Sequence, residues 1–493
     1  MKTYKQLKLY VILFITVSAL FVSCLADEGN YDYKDINEVE FGGIDPKYTI
    51  YRFEDLSITP ELNFTIDSNE TEGRYNYEWY ILANGSSKLI STERNLSAQV
   101  TAVPGLHDIF YVVKDTETEI EWQYNFDIEI ITSTYEGWLV LNDTNEGPKL
   151  DMISEISNTE NLVLFDILAG SDLNLEGDAG FVNTYTPNFR QYAVYVSSSI
   201  TGTTRVDADT WEWTPGLHLR TEFLSEQPDN MEATAIHQLQ AGSGQAFCIV
   251  DNNIYYTDPT SRILYNNPVN KTEVGVTFEA SNYVATNGKV IYDNTNKKFQ
   301  YLSGSAPNYN SYDMPAPLPW DKKFEWDNGD DLLYMETNDF NGNNASNFAI
   351  VKTPDAKYFV YTFRSTTQTG AYDLTNAPEI DQASLFAVSP AYGYIFYAVG
   401  GKVYQYNIFD NVNDLVIDKG AEEITLLKFN NFENDRFVPK YKTYQNMLIV
   451  GAYDGSEGAL EFYDVPSANN DITLNARYEG FGKIKSVDYR ERF

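Results

Sequence analysis

The sequence predicts an all-β protein, a β-sandwich followed by a seven-bladed β-propeller. Aromatic residues suited to strands are abundant, with 38 tyrosines and 28 phenylalanines among 493 residues, and Asn, Asp and Gly clusters separate the runs that contain them. Helical periodicity is scarce beyond the first two dozen residues. From Tyr135 onward, an apolar strand, a polar turn and a second strand recur about every 50 residues, a spacing that belongs to propellers.

The N-terminus carries Lys2, Lys5 and Lys8 with no acid, and then the apolar run Leu9 to Val22. About 14 apolar residues fall short of the roughly 20 that a helix needs to span a bilayer, so residues 1–23 read as a secretory signal. The run ends in Phe21-Val22-Ser23-Cys24, which resembles the bacterial lipobox, with Phe21 where Leu is commoner. That resemblance implies that the mature chain begins at a lipidated Cys24 and that residues 24–37 form a tether. Asp27 and Glu28 resemble the surface-export signal of Bacteroidota lipoproteins, which implies the extracellular face of the outer membrane. In a chain with 71 acids, composition alone also supplies such a pair. No later segment reaches spanning length, so the acyl group would be the anchor.

The formal charge is −36, and removal of the three signal lysines takes it to −39. A surface this acidic repels nucleic acid and anionic membrane, so neither is an expected partner. With Cys24 lipidated, Cys248 is the remaining thiol, which excludes an intrachain disulfide and a thiolate zinc site. Cys248 lies in the apolar run Ala246 to Val250 and is expected in the core.

Residues 38–133 hold strand-like runs at Tyr48–Phe53, Tyr75–Leu82, Leu96–Val100, Ile109–Val113 and Trp122–Ile131, the spacing of a sandwich. Alternation through Tyr77-Glu78-Trp79-Tyr80 places Trp79 in the core. Pro104-Gly105 followed by Ile109–Val113 looks like the penultimate strand of a PKD or immunoglobulin-type sandwich. Together with the lipobox and the stretch Gly29-Asn30-Tyr31-Asp32-Tyr33, this pattern resembles the PKD-like family lipoproteins of Bacteroidota over roughly the first 130 residues. The resemblance implies a place beside a SusC/SusD-type importer, in which a TonB-dependent transporter and a lid lipoprotein capture nutrients. It brings no catalytic motif with it.

Residues 135–493 contain seven hairpins. They join 137–141 to 149–153, 192–197 to 203–213, 246–250 to 254–257, 289–292 to 298–302, 348–352 to 358–363, 394–399 to 402–408, and 447–452 to 460–465. The last run, Lys483 to Tyr489, lacks a hairpin partner and is expected to pair with the first blade, closing the ring and removing an open edge. Further sandwiches are the alternative, but the hairpins continue without an evident linker.

Catalysis has little support. His107, His218 and His237 are scattered, no metalloprotease, nucleophile-elbow or phosphate-loop motif is present, and acid pairs carry no diagnostic weight at this composition. Asp172, Asn174 and Glu176 alternate ahead of Gly177 as in a calcium loop, although position twelve is Asn183 rather than Glu; a solvated turn is the competing reading. No other cofactor is expected. Pro307–Asp331 is a proline-stiffened loop with Tyr309, Tyr312, Trp320 and Trp326, whose rings could stack on a sugar or a peptide. Trp211 and Trp213 form a second cluster. For both, packing over blade ends is the alternative. The reading that results is a non-enzymatic surface lipoprotein that binds an oligosaccharide, a peptide or a partner protein for an importer. A surface glycan or peptide hydrolase and a structural or adhesin protein are the alternatives.

Overall fold

The computed structural model describes residues 35–492 apart from 53, 84–85, 103, 158–159, 189–190, 240–242, 343–344 and 468–470. The readings placed on the signal, on Cys24 and on Gly29–Tyr33 lie outside the described residues. Two compact units divide between Ile130 and Ile131.

The first unit has nine strands: β1 (Val39–Gly42), β2 (Lys47–Tyr51), β3 (Asp55–Ile58), β4 (Glu61–Phe64), β5 (Tyr75–Ala83), β6 (Ser86–Ser91), β7 (Leu96–Gln99), β8 (Gly105–Asp115) and β9 (Glu121–Ile131). A five-stranded sheet in the order β2-β9-β8-β5-β6 lies against the pairs β1-β4 and β3-β7. The alternation on β5 sends Trp79 inward, where it is fully buried and stacks on Tyr111 at 3.9 Å. Its indole N–H donates to the Glu93 carbonyl at 2.8 Å, so the ring is packed and its polar atom is satisfied. Arg74 forks onto Asp115 at 2.6 Å and holds that carboxyl down at about 2.

The second unit is a ring of seven sheets. Blade 1 holds β10 (Gly137–Thr144), β11 (Gly147–Ser157) and β12 (Glu160–Leu164); blade 2 holds β13 (Ala179–Asn188), β14 (Gln191–Ser198) and β15 (Gly202–Val206). Blade 3 holds β16 (Ala235–Gln238), β17 (Ala246–Val250) and β18 (Asn253–Thr257); blade 4 holds β19 (Ala280–Ala285), β20 (Val290–Asp293), β21 (Lys298–Ser305) and β22 (Asn308–Asp313). Blade 5 holds β23 (Asp331–Asn338), β24 (Ser346–Lys352), β25 (Tyr358–Arg364) and β26 (Thr367–Asp373). Blade 6 holds β27 (Leu385–Val388), β28 (Ile395–Val399), β29 (Lys402–Asn407) and β30 (Val412–Asp418). Blade 7 holds β31 (Glu423–Lys428), then the helix α1 (Pro439–Gln445), β32 (Met447–Tyr453), β33 (Gly458–Asp464) and β34 (Thr473–Phe481). The final strand, β35 (Lys483–Arg490), pairs antiparallel with β10 from Gly137↔Arg490 to Asp143↔Lys483 and becomes the inner strand of blade 1. The chain is therefore an all-β sandwich followed by a propeller whose last strand completes the first blade.

Two features show that the ring closes. The inner strands touch in the cyclic order β13, β16, β19, β23, β27, β31, β35 and back to β13. Seven apolar clusters fill the spaces between successive blades, the last joining Trp138, Val140 and Val487 of blade 1 to Ile449, Leu460 and Phe462 of blade 7. The middle strands pack on both faces, which is why β17 and β28 read as unbroken apolar runs; Cys248 of β17 is fully buried.

Inner strands present an unpaired edge to the centre of the ring, and neighbours satisfy it with side chains. Asp488 accepts from the Thr184 N–H at 2.6 Å, and Ser486 from the Val182 N–H at 3.1 Å. His237 donates to the Asn282 carbonyl at 2.8 Å, Asn338 to the Val388 carbonyl at 3.1 Å, and Lys428 to the Val487 carbonyl at 2.7 Å.

Candidate binding site

The aromatic loop leads from the outer strand of blade 4 to the inner strand of blade 5, and most of its rings are used for packing. Phe324 lies flat on Tyr361 at 4.1 Å, and Trp326 wedges against Phe299 at 5.6 Å and Phe363 at 5.3 Å. Gln368 fixes the loop backbone, its carbonyl oxygen accepting from the Lys323 and Phe324 N–H groups while its amide donates to the Phe324 carbonyl. Tyr309 is buried edge-on against Tyr256 of blade 3, with the Lys289 ammonium 5.4 Å from its ring centre. Tyr312 is half-buried beside Tyr301. Trp320 stands out at 74 % exposed, next to the exposed Leu318. Tyr309 and Tyr312 therefore lie on β22 and not in a loop, and the segment between β22 and β23 displays one indole, Trp320, where four rings in one loop were expected.

Trp211 and Trp213 belong to the contact between blades 1 and 2. Trp211 is buried under the Arg490 guanidinium, 4.9 Å from its ring centre, and Trp213 donates its indole N–H to Thr204 at 2.7 Å. Rings held this way have little face left for a ligand.

The Asp172–Asp178 segment alternates because Leu173 and Leu175 turn into the apolar cluster between blades 1 and 2, leaving Asp172, Asn174 and Glu176 outward. The Asn174 amide donates to Glu176 at 3.1 Å, and Thr201 ties the turn by accepting from the Glu176 N–H and donating to the Asn174 carbonyl. A calcium ligand set needs oxygens converging on one point. Among the described residues no three His, Cys, Asp or Glu side chains gather in a way that could hold a metal ion.

The centre of the propeller gathers a polar set that sequence reading did not find. Glu336 on β23 accepts from the Tyr334 hydroxyl and from Asn338, and burial pushes its carboxyl up to about 7. Lys428 on β31 lies in the electrostatic field of both Glu336 and Asp488, and burial lowers its pKa. Burial likewise raises the Asp488 carboxyl and lowers the His237 imidazole. Tyr283 meets Tyr334 edge-on at 5.2 Å. One end of this centre is crossed by the segment after β31. Its Glu433 accepts from the Thr186 N–H of blade 2, its backbone donates to Glu491, and Gln445 of α1 donates to Asp339 at 3.1 Å. The arrangement can hold protons and polar groups, with the Tyr334 hydroxyl donating to the Glu336 carboxylate.

No helix among the described residues is long and apolar enough to cross a membrane. A family model described as the PKD-like family matches residues 24–174, from Cys24 through the sandwich and β10–β12 of blade 1. No curated protein sequence matches the chain. Among solved structures, a quinonprotein alcohol dehydrogenase-like protein from Bacteroides thetaiotaomicron aligns with a TM-score of 0.45 and 12 % identity, covering 92 % of this chain and 99 % of its own. A DUF4784 family protein from Bacteroides caccae aligns with a TM-score of 0.32 and 9 % identity, over 92 % and 98 % of the two chains. A β-propeller domain from Myceliophteria thermophila aligns with a TM-score of 0.37 and 8 % identity, over 64 % and 90 %. These likenesses carry no activity over to this chain, whose N-terminal third resembles the PKD-like family.

Proposed function

We propose that the protein is a lipid-anchored protein of the outer bacterial surface that binds a ligand or partner without catalysis, as an accessory of a SusC/SusD-type importer. The observation that carries this reading is the N-terminal sequence: a basic segment, a short apolar run and Ser23-Cys24, with the PKD-like match beginning at that same cysteine. The sandwich then serves as a stalk and the propeller as the binding platform, with Trp320 as the ring offered to a sugar or a peptide side chain. The ligand is an oligosaccharide or a peptide passed to a TonB-dependent transporter and its lid lipoprotein.

Cys24→Ala in the full chain tests the anchor. The variant should leave the membrane fraction, and external protease should digest the wild type on intact cells. A variant that stays in the membrane overturns the lipid anchor; a wild type that survives the protease overturns the surface placement.

A further inference from the structure

The first unit contains an apolar cleft that the propeller-centred reading leaves unused. It opens where β6 and β7, consecutive strands that join different sheets, diverge from the turn between them. Each is an edge strand among the described residues, β6 pairing with β5 and β7 with β3. The space between them holds about 320 Å³ and is floored by Leu56, Ile81, Leu96, Val100 and Ile109. All five side chains are buried, yet they do not fill the space they enclose. The cleft opens to solvent past the polar side chains of its rim, and a fitting hydrocarbon chain would cover the apolar floor and make the dispersion contacts that floor lacks on its open side.

The mouth has a definite charge. Lys88 lies on it with Ser86 and Gln99, and among the described residues no carboxylate lines the cleft, although the chain carries 71 of them. The other Lys and Arg side chains of this unit among the described residues are engaged: Lys47 with Glu129, Arg74 with Asp115, Arg94 with Glu70, Lys114 with Glu121, and Arg52 with the Thr101 carbonyl. Lys88 makes no ion pair among the described residues. An ammonium over an apolar slot complements a molecule with an anionic head and a hydrocarbon body. At about 30 Å³ for a group the size of water, the slot takes on the order of ten such groups.

We propose that this cleft binds a medium-chain carboxylate, its carboxylate on Lys88 and its chain between β6 and β7. The test is titration calorimetry on the full chain with three probes of equal chain length: decanoate, decanol and decyltrimethylammonium. Decanoate should bind one to one, at least tenfold more tightly than decanol, and decyltrimethylammonium should not bind. Lys88→Glu should weaken decanoate tenfold or more with an unchanged Tm. Ala98→Phe, which fills the slot from β7, should abolish binding of decanoate and decanol alike. Equal binding of all three probes, or decanoate binding that survives Ala98→Phe in a variant with native circular dichroism, overturns the proposal. So does an extended apolar peptide that competes for the cleft while decanoate does not.

Discussion

Trp79→Ala removes the largest fully buried side chain of the sandwich, together with its stack on Tyr111 and its bond to Glu93. The loss should be about 3–5 kcal/mol of first-unit stability, read from the shift in its denaturant midpoint. Glu336 tests the centre of the propeller. Its folded pKa of about 7 lies above the ordinary 4.5, so the fold holds that proton more tightly than the unfolded chain does. Stability from this group is greatest below about 4.5 and falls as pH climbs through about 7. Glu336→Gln keeps the shape and removes the ionisation. Its stability should be close to wild type near pH 4 and exceed it at pH 8, by roughly 3 kcal/mol. His218 and His237, whose burial lowers their pKa values, push the wild-type profile the other way, so the measured quantity is the difference between variant and wild type. The same offset at both pH values would show that Glu336 does not titrate in this range. Trp79 was legible in the sequence because one strand's alternation decides which way it points. Glu336, Lys428 and Asp488 were not, because they meet only after the ring has closed across blades 5, 7 and 1.

At the scale of the element, β35 decides whether the second unit holds together. It gives β10 a partner and buries Ile484, Val487 and Tyr489 against blade 7, while the Gly482 N–H just before it donates to Asn142 at 2.7 Å. Deleting residues 483–493 leaves an unpaired inner edge on blade 1 and an open gap beside blade 7. The second unit should then lose its cooperative thermal transition in scanning calorimetry; a shift of only a few degrees would mean that the ring does not depend on this clasp. The middle hairpins were readable because strands such as β14, β24 and β32 pack on both faces and so appear as continuous apolar runs next to turn residues. The flanking strands were harder to see for an opposite reason. Ala235-Ile236-His237-Gln238 of β16 is short and half polar, with His237 given to the inner strand of blade 4, and Val412–Asp418 of β30 faces largely outward, so neither shows an apolar signature. The loop 307–331 looked like a row of displayed rings because composition reports stiffness and aromatic content. Which rings turn inward depends on Phe299, Tyr361 and Phe363, which come from two different blades.

The whole molecule joins an acidic composition, a sandwich and a closed propeller in two compact units. Residues 131–493 expressed alone should melt at the temperature of the second transition of the full chain, since the ring contains all of its own clasping contacts. The partner prediction needs the intact chain on its membrane. A tether that starts at Cys24 would confine the propeller to a thin layer beside any transporter in the same membrane. Effective concentrations reach the millimolar range under such confinement, so even a weak binder would gain from it. Purification of the native protein in mild detergent should therefore bring a TonB-dependent transporter and a lid lipoprotein with it. Trp320→Ala should lower capture of oligosaccharide or peptide severalfold without moving the Tm, because a side chain 74 % exposed contributes little to packing. Trp326→Ala should instead unsettle the contact between blades 4 and 5, lowering the Tm, because that indole is packed against Phe299 and Phe363. If the protein purifies alone and by itself turns over a glycan or a peptide, the accessory role falls and a hydrolase takes its place.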